Sequence, residues 1–230
     1  MERKLSVDSL SKSYGRNCVL KNVSLTYSAG LIHGLVGDNG AGKTTLLSCI
    51  AGYESFGGSV ASVGIKSTGY LHAEPYIFPR ITGREFISFC LHAKKVAASL
   101  AEVNELNKLF ELPLEKYAAN YSTGMLKKLH IMSLILQKND LLLLDEPFNG
   151  LDISSASYIT EILKRLRQAG VIIIISSHAL HHLIDFCDTI SFVHSGAVDF
   201  LSGKENFEAL VKRIEQHAQR KIDGYFYPKP

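Results

Sequence analysis

Residues Gly37-Asp38-Asn39-Gly40-Ala41-Gly42-Lys43-Thr44 follow the pattern G-x-x-x-x-G-K-[ST], which constrains this chain more than any other stretch. Glycines at these positions let consecutive backbone N–H groups curl into a nest for an anion. A helix starting there adds its positive N-terminal dipole. Lys43 then reaches the β- and γ-phosphates of a nucleotide, and the Thr44 hydroxyl becomes a ligand for Mg2+. Such a loop needs a strand before it and a helix after it. Residues 31–36 (LIHGLV) read as a short buried strand and residues 45–51 (TLLSCIA) as the helix, so the setting is the required one. Contacts to nucleotide are expected from Gly37, Asn39, Gly40, Ala41, Gly42, Lys43, Thr44 and Thr45.

The 230 residues suffice for one large domain, or one domain with a substantial insertion, around a full core. The longest aliphatic run, residues 171–175, is far too short to span a bilayer. Met1-Glu2-Arg3-Lys4 leads into mixed polar sequence rather than a signal peptide, so any membrane role is expected to be peripheral. Lys and Arg are scattered and the net charge is only +3, so no nucleic-acid partner is expected. Cys18, Cys49, Cys90 and Cys187 are widely separated without metal spacing. They read as small buried residues of a reducing, cytosolic compartment.

Along the chain, residues 5–7 and 19–27 look like strands of a leading antiparallel sheet, with apolar residues alternating at Val23, Leu25 and Tyr27. Residues 60–63 and 68–71 return to strand. From about 82 to 137 the pattern is helical. Phe86, Phe89 and Cys90 are expected on one face, as are Val103, Leu106, Leu109 and Phe110. A break at Pro113 and at residues 120–124 precedes a helix over 125–136. This block reads as a helical subdomain inserted between strands. Residues 141–145 and 171–175 are aliphatic enough for a sheet buried on both faces, with a crossover helix over 154–168 between them. A hairpin follows around His194-Ser195-Gly196-Ala197. The last helix is expected over 205–217, through Phe207, Leu210, Val211 and Ile214, and then an irregular tail over 224–230. The fold class is therefore α/β: a P-loop NTPase core with a mainly parallel sheet, an N-terminal antiparallel β-subdomain and an inserted α-helical subdomain. The expected division is an ATPase domain over 1–204 and a C-terminal helix with its tail over 205–230.

The second signal is Leu141-Leu142-Leu143-Leu144-Asp145-Glu146. An aliphatic strand ending in a carboxylate places that charge in the crevice at the C-terminal edge of a parallel sheet. Asp145 is placed to hold Mg2+, directly or through water, opposite Thr44. Glu146 can polarise an attacking water as general base.

With both signals in hand, the chain resembles the nucleotide-binding cassette of ATP-binding cassette (ABC) transporters, from about Leu5 to about Gly203. Tyr121-Ser122-Thr123-Gly124-Met125 is similar to the family's signature motif, usually Leu-Ser-Gly-Gly-Gln. Asn149-Gly150-Leu151-Asp152 resembles the D-loop. Ser176-Ser177-His178 sits where the family places a switch histidine, and Tyr14 where it stacks an aromatic ring on adenine. The resemblance implies an ATP hydrolase with ATP and Mg2+ as cofactors. It implies that Ser122 and Gly124 contact the γ-phosphate held by a partner subunit, with Asp152 in the D-loop. His178 would reach the same γ-phosphate and orient the water. Two cassettes, as a homodimer or a heterodimer, would then sandwich two ATP molecules. An integral membrane permease is the implied partner and the cytoplasmic face of the membrane the implied location. Its docking groove is expected at Tyr76, Phe78, Phe86 and Phe89. His181 and His182 read as solvated surface.

Three positions depart from the family pattern. Thr123 replaces the first signature glycine and Met125 the glutamine. Ala73, in Gly69-Tyr70-Leu71-His72-Ala73-Glu74-Pro75, falls where the family has a loop glutamine, and Glu74 would substitute only after a one-residue shift. These departures keep a non-catalytic cassette open as a reading, although Lys43, Asp145, Glu146 and His178 are intact. A non-transport ABC ATPase acting on the ribosome or DNA is the other alternative. Substrate identity is invisible, and the direction of transport leans to export on the Ala73 loop and the short tail.

Overall fold

The computed structural model describes residues 3–226. β1 (Lys4–Tyr14) and β2 (Asn17–Ser28) alternate buried and exposed residues, with Leu5, Val7, Val23, Leu25 and Tyr27 on the buried face. β3 (Ile32–Val36) is buried along its whole length and leads through the glycine loop into α1 (Lys43–Ile50). β4 (Gly57–Val63) returns to pair with β1, and β5 (Thr68–Leu71) forms an edge of the sheet that holds β3. α2 (Gly83–Ala93) and α3 (Leu100–Phe110) each open with a capping box, Thr82 with Glu85 and Ser99 with Glu102. α4 (Thr123–Leu136) closes the helical block and β6 (Leu141–Asp145) re-enters the sheet. α5 (Ile153–Gln168), β7 (Ile172–Ser177), the single turn α6 (His181–Ile184), the hairpin β8 (Thr189–His194) with β9 (Ala197–Gly203), and α7 (Phe207–Phe226) complete the chain.

The strands form two sheets. One has three antiparallel strands in the order β2-β1-β4, and the other six in the order β5-β6-β7-β3-β8-β9. All pairings in the larger sheet are parallel except β8 with β9. Period-two alternation splits its aliphatic residues between two cores. Leu142, Leu144, Ile173 and Ile175 pack with the helical block, while Leu141, Leu143, Ile172 and Ile174 pack with α1 and the antiparallel sheet. Burial on both faces explains why β6 and β7 read as unbroken aliphatic runs.

Several expectations need correction. Phe86 is buried and Cys90 partly so, but Phe89 is 54% exposed. At 100° per residue the buried stripe Gly83, Phe86, Ile87 and Leu91 is centred well away from position 89. Leu109 is exposed on α3 for the same reason, although Val103 and Phe110 are buried and Leu106 packs on the core. Cys18 is exposed, in a β2 position that faces outward. α7 begins at Phe207 and continues through Gly224 to Phe226. One glycine costs a helix only about 1 kcal/mol, and no proline lies between Phe207 and Pro228. Residues 227–230 lie outside the described residues.

One buried group makes the helical block sensitive to pH. His130 on α4 packs against Phe86, with ring centroids 4.6 Å apart, and its Nε2 is buried without a partner. Burial pushes its pKa down to about 4, so the neutral ring is the one that fits. In the unfolded chain the imidazole takes up its proton near pH 6.5. Stability is therefore expected to fall by roughly 1–2 kcal/mol as pH drops from 7 to 5, to go on falling through pH 4 and to level off only below it. His33, also held below its usual value by burial, adds to the same slope. Urea unfolding of the wild type and His130→Leu at several pH values checks this; the variant should show a shallower slope between pH 6.5 and 4.

Candidate nucleotide site

The parallel register delivers three loops to one edge. Val36 pairs with Ser177 and Asp145 with Ser176, so Gly37, Glu146 and His178 leave adjacent strands at the same end. That end is the carboxyl edge of the sheet, where α/β folds bind ligands.

Gly42 caps α1 in the left-handed region, with φ of 106°, and no side chain caps the helix. The first-turn amides of Lys43, Thr44 and Thr45 have no acceptor within the helix and remain available to an anion. A cleft of about 430 Å3 lies over them, lined by Asn39, Gly40, Gly42, Lys43, Thr44 and Thr45 together with Asn17, Val19, Ala73 and Glu146. The Lys43 side chain is buried, and its Nζ donates to the carbonyls of Gly37 (2.7 Å) and Asp38 (3.2 Å). Burial pulls its pKa down, opposed by the charges of Glu146, Asp145 and Asp38. A phosphate beside it would favour the charged form further. Gly37 and Ala41 shape the loop from beneath rather than lining the cleft. Ala41 donates its amide to Asp38 O (3.1 Å) and accepts from the amide of Gly196 (3.2 Å), tying the loop to the β8–β9 turn.

The acidic pair is held by a residue whose role the sequence did not reveal. Ser176 on β7 donates its hydroxyl to Asp145 Oδ1 and accepts the amide of Glu146 at 3.1 Å. Asp145 is fully buried, and its other oxygen, Oδ2, has no hydrogen-bond partner. Glu146 adopts a left-handed backbone with φ of 48°. Its Oε1 lies 3.0 Å from His178 Nδ1, so the two residues expected to act on water are already paired. Among the described residues no cluster of three or more His, Cys, Asp or Glu could hold a metal by itself.

Of the remaining motif residues, Ser122, Gly124, Asp152 and Tyr14 do not line this cleft. Ser122 is the N-cap of α4 and accepts the amide of Met125 at 3.2 Å, so the helix starts two residues earlier than position 125. Gly124 packs against the D-loop: a Cβ there would fall 2.4 Å from the carbonyl of Gly150. Asp152 is the N-cap of α5, accepting the amide (2.8 Å) and hydroxyl (2.7 Å) of Ser155, and these bonds hold its carboxyl below the usual range. Tyr14 is half-exposed at the end of β1 and does not line the cleft; the Lys12 ammonium lies over its ring, 4.7 Å from the centroid. Ala73, where the family has its glutamine, lines the cleft, and Glu74 beside it is exposed. His181 is exposed, but His182 is half-buried near Phe148, with Nδ1 sealed from solvent. Burial, then the neighbouring His181, lowers its pKa.

Lys127 also escaped the sequence reading. It is 2% exposed, and its Nζ donates to the carbonyls of Glu146 (2.5 Å) and Asn149 (3.0 Å). Only its spacing three residues after Gly124 hinted at this, and Lys128 beside it looks the same in sequence.

Residues 20–149 match the family described as "ABC transporter". The chain belongs to that family. It is 30% identical over 224 residues to the lantibiotic transport ATP-binding protein SrtF of Streptococcus pyogenes, covering 90% of this chain and 95% of the relative. It is 29% identical to the linearmycin resistance ATP-binding protein LnrL of Bacillus subtilis, covering 84% of this chain and 67% of that one. An ATP-binding subunit of an ABC transporter superposes with a TM-score of 0.82 at 26% identity, over 90% of this chain and 93% of the other. This cassette is thus an ATP-binding, ATP-hydrolysing subunit of the transporter type, on an ABC ATPase fold.

The close approach at Gly124 yields a test. Gly124→Ala should push α4 away from Gly150 and lower ATP turnover at least ten-fold, because the contact is with backbone and cannot give. Affinity for a fluorescent ATP analogue should stay within about three-fold, since the phosphate loop is untouched; parallel kinetic and binding assays read both.

Proposed function

We propose that this cassette powers export through a separate membrane permease, closing with a second cassette around ATP. The observation that carries the catalytic part is the Glu146–His178 pair, 3.0 Å apart, at the edge of the cleft that Lys43, Thr44 and Thr45 line. In this reading the amides at the start of α1 and the Lys43 ammonium bind the phosphates, and Tyr14 stacks on the adenine. Glu146 takes a proton from the attacking water, and His178 holds that carboxylate and the γ-phosphate in register.

The residues fit Mg2+. Asp145 Oδ2 is a buried carboxylate oxygen that lacks a partner, which the cation or its bound water would satisfy, and Thr44 is among the residues that line the cleft. Bound there, Mg2+ would neutralise charge on the β- and γ-phosphates.

The site is half complete within one chain. Ser122 and Gly124 lie outside the cleft, which supports their use on the nucleotide of another subunit. Permease docking is supported by the aromatic edge of Tyr76, Phe78 and Phe89, exposed and packed edge to face one after another, with ring centroids 5.4 and 5.8 Å apart. Phe86 is not part of that surface; it is buried in the subdomain core. No described helix is long and apolar enough to cross a membrane, so attachment through a partner, at the cytoplasmic face, fits the chain. Export is favoured by the relatives named for lantibiotic transport and linearmycin resistance.

Two measurements check this reading. Glu146→Gln should abolish turnover and accumulate an ATP-bound dimer on gel filtration; hydrolysis at the wild-type rate would show that the base is another residue. Purification from membranes in mild detergent should bring down one integral membrane protein. Tyr76→Ala combined with Phe89→Ala should release it while leaving ATP binding unchanged.

A further inference from the structure

Lys127 is a buried cation to which the catalytic scheme gives no task. The residue is 2% exposed, and both of its hydrogen bonds go to main-chain carbonyls. Burial lowers its pKa, while the charges of Glu146 and Asp145 act the other way. A position needing only to fill the core would be served by leucine or methionine, without the desolvation of an ammonium.

The two carbonyls it holds explain its presence. One belongs to Glu146, whose left-handed backbone is uncommon for a residue with a side chain and persists only where its surroundings impose it. The other belongs to Asn149, three residues on, where the loop turns toward Gly150 and Asp152. Pro147, between them, has no amide to donate, and within the loop the Glu146 carbonyl accepts only the long bond from the Asn149 amide, 3.3 Å. Lys127 is therefore a bridge from α4, the helix that begins with Ser122 and Gly124, to the peptide that aims the Glu146 carboxylate.

We propose that Lys127 is a positioning residue for hydrolysis: it fixes the main chain of Glu146 and Asn149 to α4, so the carboxylate is aimed correctly only while that helix is seated. The inference rests on Glu146 acting as the base. It gives the signature helix a direct mechanical hold on the chemistry of its own chain, separate from any contact it makes with the nucleotide of a partner.

The test compares Lys127→Met, which removes the donors, with Lys127→Gln, whose shorter neutral amide can hold one carbonyl. Purified full-length chains are assayed for kcat, KM and affinity for the fluorescent ATP analogue. Lys127→Met should lose at least ten-fold in kcat and Lys127→Gln three- to ten-fold, with KM and nucleotide affinity within two-fold of wild type in both. A kcat within two-fold of wild type in either variant overturns the proposal. So does a parallel loss of kcat and nucleotide affinity, the mark of a merely structural lysine. Should Lys127→Met fail to fold, Lys127→Gln decides by the same criteria. Glu146→Gln is run alongside: if it turns over ATP normally, the base assignment has failed, whereas a dead Glu146→Gln with an active Lys127→Met defeats only the present inference.

Discussion

The nucleotide site depends on the parallel pairing of β3, β7 and β6. Each strand alone is a short, mostly aliphatic run that makes no site. Paired in register, Val36 beside Ser177 and Asp145 beside Ser176, they set three loop origins next to one another at one edge. Because side chains alternate strictly along a strand, a slip of one residue in β6 would reverse which face each leucine fills and turn Asp145 away. The two cores that hold the register sit on opposite faces of the sheet, so the same packing that stabilises the domain also aims the acidic pair.

Much of this was legible in the sequence because the relevant signals are local. The glycine loop, the aliphatic run ending in Asp145-Glu146, and the crossover helix each announce themselves within a few residues. What stayed hidden was decided by contacts far apart in the chain. Ser176 clamps Asp145 and Glu146 across 31 and 30 residues, and no local pattern distinguishes it from Ser177. Lys127 and Lys128 are adjacent cations, and only the packing of α4 on the loop at 146–149 sends one inward. Phe89 and Leu109 were misplaced because a helix buries a stripe narrower than its apolar residues occupy. The end of α7 was missed because a lone glycine looks like a terminator in sequence but is a weak one.

Two lysines in the site share an unusual chemistry. Lys43 and Lys127 are both buried, and both direct their ammonium groups to main-chain carbonyls rather than to a carboxylate side chain. A carbonyl anchor fixes backbone shape without neutralising the charge. Positive potential is thus kept near the cleft while the loops are held in place, an arrangement suited to a polyanionic ligand. Asp145 and Glu146 supply the opposing charge without quenching it.

The contact between Gly124 and Gly150 carries a consequence for how such a sequence can change over time. With no room for even one extra carbon between α4 and the D-loop, the two segments cannot drift independently. Thr123 and Met125, on either side, face no such limit, and it is the residue against the carbonyl that is glycine. Substitution is therefore tolerated around the contact but not at it, so position 124 is a fixed point for both segments.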